Sequence, residues 1–181
     1  MTHEKWFISD THFFHANILK FLDDQGHLFR GNVFKNVEDM NECMVKNWNS
    51  VVKDGDYVYH LGDVTFRYDG AFNNLMSRLK GKKRLIIGNH DKIWNPALAK
   101  HFEKAEIWKG FSDKEAGIAF TASHFPLPQY GLRNGKHNAH GHIHQNKSRE
   151  AHQFNLSVEN INYTPVHIDR LVEYFKQEKS A

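Results

Sequence analysis

Apolar residues along this chain recur in two different periods, and the change from one to the other sets out its architecture. Lys5 to Ser9 reads as a strand that stops at Asp10, and Ala16 to Leu22 as a short helix after Phe13-Phe14-His15. Val37, Met40, Met44, Trp48 and Val51 then return at steps of three and four residues, the spacing of one helix face. Asn36 precedes that helix as its N-cap, and Glu38 and Asp39 occupy the first turn, where the helix dipole favours anions. The pattern ends near Val52, before Gly55, and a β-rich run from Asp56 to Leu61 leads to Gly62-Asp63. Phe72, Leu75, Met76 and Leu79 predict a second helix over Ala71 to Leu79, stopped by Gly81. Arg84 to Ile87 is a short apolar strand running into Gly88-Asn89-His90-Asp91, and Pro96 to Phe102 is helical. Beyond it the pattern changes: Glu106 to Lys109, Ile118 to Ser123, Asn138 to Gly141 and Gln153 to Val158 read as strands between turns. A last helix covers about Asp169 to Lys179, with Ile168, Leu171, Val172 and Phe175 on its apolar side. Strand and helix alternate in the first half, which predicts parallel βαβ units, and the second half is β-rich, so the fold class is α/β.

The apolar runs share a habit that bears on chemistry. Five of them stop on metal-binding residue types: Asp10 and His12; Asp63; Asn89, His90 and Asp91; His124; and His142 with His144. Asp10 and His12 stand two apart at a strand end, so both side chains can point to one side, and His142 and His144 repeat the spacing. Gly62 lets the backbone carrying Asp63 come close, as a carboxylate shared between two ions about 3.5–4 Å apart requires. Asn89 adds an amide oxygen and His124 an imidazole. Nitrogen and oxygen donors without sulfur suit manganese, iron, zinc or nickel, and suit calcium poorly.

Composition narrows this picture. The 181 residues are 40% hydrophobic and 25% charged, the profile of a globular chain, and without a repeat, linker or low-complexity segment they are expected to form one domain over 1–181. The net charge of +3 permits an anionic ligand without pointing to nucleic acid, because Lys80, Lys82, Lys83 and Arg84 bunch at a helix end where cations complement the dipole. Cys43 is the one cysteine, so no internal disulfide or cysteine-based zinc site can form, and it reads as a buried structural thiol. The first apolar run, Trp6 to Ile8, is too short for a signal peptide or membrane span, so a cytoplasmic setting is expected. Of the 14 histidines, His60 should point away from the strand-end cluster by alternation, and His140 should support it or sit in the core. Trp48, at helical spacing, is core.

In order and spacing, Asp10-x-His12, Gly62-Asp63, Gly88-Asn89-His90-Asp91, His124 and Gly141-His142-x-His144 resemble the motif series of the calcineurin-like metallophosphoesterase family. The resemblance implies two mixed β-sheets packed as a four-layer sandwich with flanking helices, in a small member without a cap domain. It implies two divalent metal ions, manganese first and otherwise iron, zinc or nickel. Asp10, His12, Asp63 and His144 would hold one ion; Asp63 would bridge to the other, held by Asn89, His124 and His142. A hydroxide bridging the ions would attack a phosphodiester or small phosphomonoester, with His90 assisting the leaving oxygen and Asp91 orienting His90. Candidates for substrate contact are His15, which either reaches a bound phosphate or is a satisfied loop imidazole, Arg67, and Arg133 in a glycine-containing loop with Lys136 and His137. Two departures stand out: Val64 to Arg67 stands where many protein-phosphatase relatives carry a phosphate-gripping Asp-Arg-Gly, so protein phosphatase activity is not inferred, and Ser123 replaces the usual glycine before His124. The alternatives are a nuclease, which would bring a basic track, and a non-catalytic scaffold like the retromer subunit that resembles this family, which would have lost ligands.

Overall fold

In a computed structural model of the chain, residues 3–23, 25–132 and 137–180 are described. Four strands form a parallel run: β1 (Lys5–Ile8), β2 (Tyr57–His60), β3 (Lys82–Ile86) and β4 (Lys104–Glu106). The late strand β9 (Val166–His167) adds antiparallel to β1, giving the order β4-β3-β2-β1-β9. The second sheet has the order β5-β6-β7-β8, from β5 (Trp108–Asp113), β6 (Ile118–Ser123), β7 (His137–His140) and β8 (Gln153–Asn155). Only its β5–β6 pair is antiparallel, so both sheets are mixed.

The helices are α1 (Val37–Val51), α2 (Gly70–Arg78), the single turn α3 (Pro96–Ala99) and α4 (Ile168–Ser180). Asn36 caps α1 by accepting the Asp39 amide at 2.8 Å, as its residue type predicts. Met40, Met44 and Trp48 of α1 and Phe72, Leu75 and Met76 of α2 pack with Ile8, Val58 and Leu85, one side chain from each of three central strands. The alternate residues Phe7, Tyr59 and Ile86 join Phe111, Phe120 and Ala139 of the second sheet, and Leu171 and Phe175 of α4 seal that core. Period-two alternation in β1 to β3 thus serves two cores at once. Cys43 is half-buried rather than buried, and its sulfur accepts from Asn47. No helix among the described residues is long and apolar enough to cross a membrane.

Most boundaries lie within two or three residues of the expected ones, and four differences have physical causes. The helix expected over Ala16 to Leu22 is one 3-10 turn, Ala16–Leu19, because Asp23 accepts the amides of Gln25 and His27 and folds the chain back so that Leu22 bridges Leu28. The helix expected over Pro96 to Phe102 stops after Ala99, where the carbonyls of Leu98 and Ala99 accept from amides three residues on, closing 3-10 turns. The strand expected over Glu106 to Lys109 is two strands on different sheets, and the chain crosses between them at Ile107. The strand expected to reach Val158 ends at Asn155, whose side chain accepts the Ser157 amide and donates to the His144 carbonyl; a 3-10 turn, Val158–Asn160, follows.

Register gathers the site. Ile8 pairs with His60 and His60 with Leu85, so β1, β2 and β3 end at one edge, and Ala122 opposite Ala139 brings β6 and β7 to a common end. The Ser9–Ser157 bridge ties those edges together, and the Asp10 amide on the Gly62 carbonyl (3.0 Å) holds the ends of β1 and β2 side by side. Carboxyl ends of parallel strands are where ligand crevices form in such sheets.

Candidate metal centre

Two groups of donor atoms converge at the joined strand ends. One ligating atom each from Asp10, His12 and His144 lie within 4.8 Å of one another, and so do atoms of Asp63, His124 and His142. Asp63 Oδ2 stands between the groups, 3.7 Å from His12 Nε2 and 3.5 Å from His124 Nε2. Asn89 Oδ1 lies 2.8 Å from the same His124 nitrogen. Every strand-end donor expected from the sequence is therefore in one place, in two clusters that meet at Asp63.

The supporting hydrogen bonds decide which atoms are available. His124 Nδ1 faces the Leu61 carbonyl at 2.8 Å; a carbonyl only accepts, so Nδ1 carries the proton and Nε2 offers a lone pair. His144 Nδ1 is 3.0 Å from the Glu159 carboxylate, which likewise frees Nε2. Asp10 Oδ2 accepts from the His142 amide (2.9 Å) and Ser157 Oγ (3.0 Å), while buried Oδ1 has no hydrogen-bond partner among the described residues. Both ring nitrogens of buried His12 likewise have no hydrogen-bond partner among the described residues, and burial, then the nearby Arg30 charge, holds its pKa well below the ordinary value. Buried polar atoms are nearly always satisfied, so lone pairs orphaned around a common point fit divalent cations.

The backbone carries the same mark. Asp10, His12, Asp63, His142 and His144 all adopt positive φ, at 56°, 46°, 57°, 70° and 50°. Left-handed conformations are uncommon outside glycine, cost on the order of 1 kcal/mol or more each, and cluster at functional sites. Gly62, at φ 98°, packs on the Gly88 backbone and the His124 ring so closely that a Cβ would collide with both.

The remaining expected residues fall out differently. Asp91 does not meet the His90 ring through any hydrogen bond found among the described residues; its carboxylate accepts the amides of Asp63 (2.9 Å), Val64 (2.9 Å) and Gly88 (2.8 Å). Three amides converge on that buried carboxylate, so Asp91 fixes the loops that carry Asp63 and Asn89. His90 is exposed at the mouth, its amide on Asp63 Oδ1 at 2.9 Å and its ring 5.0 Å from Phe66 and 5.9 Å from His12. His15 stacks on Phe66 at 4.0 Å, and its buried Nδ1 has no hydrogen-bond partner among the described residues. Arg67 is committed to Asp69 at 2.5 Å and lies over Phe14. Arg133 and Lys136 lie outside the described residues. His60 is buried behind the site: it accepts the Gly62 amide on Nδ1, donates from Nε2 to Thr11 Oγ1, and burial lowers its pKa to about 3. His140, bonded to the Gly141 carbonyl and Ser148 Oγ, is likewise held down to about 4, mainly by burial.

Arg30 and Glu159 were not singled out from the sequence. Fully buried Arg30 bonds Glu159 at 2.7 Å and the carbonyls of Thr11 (2.9 Å) and Asp10 (2.6 Å). Burial alone would raise the Glu159 pKa; the Arg30 charge and the His144 bond outweigh it and hold it down to about 2. Arg30 thus ties the Asp10–His12 loop to the carboxylate that orients His144. Removing one partner of a buried pair costs about 3–5 kcal/mol, so Glu159→Gln should melt earlier and also bind metal about 10–100-fold more weakly. Thermal unfolding and metal titration check both, and Arg30→Met/Glu159→Gln, which removes the stranded charge but leaves the Thr11 and Asp10 carbonyls without their donor, should recover part of the stability while metal affinity stays low. Recovery of both would show that Glu159 serves packing alone.

A family model described as calcineurin-like phosphoesterase matches residues 5–177. An uncharacterized protein of Methanocaldococcus jannaschii is 36% identical over 183 residues, 96% of this chain and 92% of that protein. The gene 66 protein of Mycobacterium phage L5 is 30% identical over 133 residues, 72% of this chain and 58% of the phage protein. The crystal structure of a protein of unknown function from Aquifex aeolicus is similar at a TM-score of 0.75 and 27% identity, covering 95% of this chain and 99% of that one.

Proposed function

The chain belongs to the calcineurin-like phosphoesterase family, and on that premise we propose that it hydrolyses phosphodiesters or small phosphomonoesters with two divalent metal ions, manganese first among them. The observation that carries this reading is the pair of donor clusters meeting at Asp63, beside an exposed imidazole. Asp10, His12, Asp63 and His144 would hold one ion and Asp63, Asn89, His124 and His142 the other. Bound there, the two ions would supply charge neutralisation at the phosphoryl oxygens and a lowered pKa for bound water.

The chain's own groups do the rest. Asp63 Oδ1 fixes the His90 backbone, which sets the imidazole at the mouth, where it can hand a proton to the departing alcohol oxygen or stabilise charge on it. Phe66 beside His90 and Phe125, 4.5 Å from the His142 ring, give the mouth apolar flanks that displace water from a bound ester. A non-catalytic scaffold is disfavoured because all eight strand-end positions retain metal-competent or proton-transferring side chains.

The test is a panel on manganese-loaded protein: bis(p-nitrophenyl) phosphate, p-nitrophenyl phosphate, cyclic nucleotides and single-stranded DNA. About two ions per chain and turnover on at least one ester, lost on chelation and regained on reloading, are expected. Two bound ions with every ester untouched would overturn the proposal.

A further inference from the structure

A cavity of about 580 Å³ is lined in part by the two chain segments that carry His124, His142 and His144. Ile143, set between His142 and His144, lines it, and so does Pro126, two residues after His124. The same two chain segments therefore contribute donors to one site and lining residues to the other. Pro128 extends the apolar wall, and Asn146, Lys147, Arg149, Glu150 and Gln153 complete the lining.

Its polar groups are not equivalent. Glu150 pairs with His152 Nδ1 at 3.2 Å, and the Gln153 amide donates to the Leu127 carbonyl at 3.1 Å. Lys147 and Arg149 are exposed, and neither has a side-chain hydrogen bond or ion pair among the described residues. Two uncommitted cations facing an apolar wall suit a ligand with both an anionic and a flat, less polar part. The volume lies within the range of about 300–1,000 Å³ typical of small-molecule sites, far more than a lone phosphate needs.

We propose that this cavity is a second substrate subsite, which takes a nucleotide-sized moiety with its own phosphate on Lys147 and Arg149 and its ring or sugar against Pro126, Pro128 and Ile143. The proposal rests on the phosphoesterase reading and narrows it: the scissile diester is one link in a phosphorylated dinucleotide or longer single strand. Two cations amount to a local contact rather than a track along a duplex, which fits the modest net charge of +3.

The experiment compares cleavage of the internal diester in TpT with that in pTpT and TpTp, using metal-loaded protein. One of the two phosphorylated forms should exceed TpT about tenfold in kcat/KM, mainly through KM, and the ratio should fall toward one in Lys147→Ala/Arg149→Ala and further in Lys147→Glu. Calorimetric binding of the preferred dinucleotide should weaken about tenfold in the double variant at unchanged metal content. Equal rates on all three dinucleotides, or a ratio the variants leave intact, would overturn the subsite while leaving the hydrolase reading standing. If no ester is cleaved, the hydrolase reading fails, and the binding measurement decides the subsite: affinity equal in wild type and variant overturns it.

Discussion

Asp63→Asn is expected to lower metal content at both positions and to reduce turnover by about three decades or more, because metal charge stabilisation is worth several kcal/mol and each 1.4 kcal/mol is tenfold. The substitution keeps volume and shape at a site only 2% exposed, so the fold should survive. What changes is the oxygen count. Asp63 Oδ1 is held by the His90 amide, and Oδ2 is the atom between His12 and His124. An asparagine that keeps its oxygen on the His90 amide turns its NH2 toward two imidazole lone pairs, where it donates hydrogen bonds and cannot ligate. Elemental analysis after dialysis, with turnover on the best ester of the panel, checks both effects. Two ions retained at an undiminished rate would overturn the proposal that Asp63 is shared between them.

His90→Ala should leave both ions bound and lower kcat by about 10²–10⁴, the usual worth of a positioned proton donor. The side chain is exposed and contributes little to the cores, so lost stability cannot account for such a change. The size of the loss should follow the leaving group. An alkoxide needs a proton as it departs, whereas p-nitrophenolate does not, so a methyl ester should suffer more than a p-nitrophenyl ester. Equal losses would place His90 on the phosphoryl oxygens, and an unchanged rate with metals bound would end its assignment.

Much of this was legible in the chain because the relevant signals are local. A strand end announces itself as an apolar run that stops, and Asp10, His12, Asp63, Asn89, His124, His142 and His144 each stand at or just beyond such a stop. Asn36 and the three-four spacing of Met40, Met44 and Trp48 likewise need only neighbours in sequence. For Asp91, adjacency suggested a contact with His90, whereas its carboxylate accepts three backbone amides from folded-together loops, partners that no local pattern shows. The strand expected at Glu106 to Lys109 failed because a crossing between sheets leaves no trace in a periodicity that both sheets share.

By itself, then, the sequence determined which residues could act as donors, roughly which elements carry them, and the family that their order resembles. Only the tertiary structure decided how those donors divide into two groups around Asp63, which imidazole nitrogens are free, that Arg30 and Glu159 brace the site, and that Lys147 and Arg149 border a cavity. The reason is separation along the chain. Arg30 and Glu159 lie 129 residues apart, so no local pattern pairs them. A lone pair, in turn, becomes available only when packing has supplied or withheld the partner of every other polar atom around it.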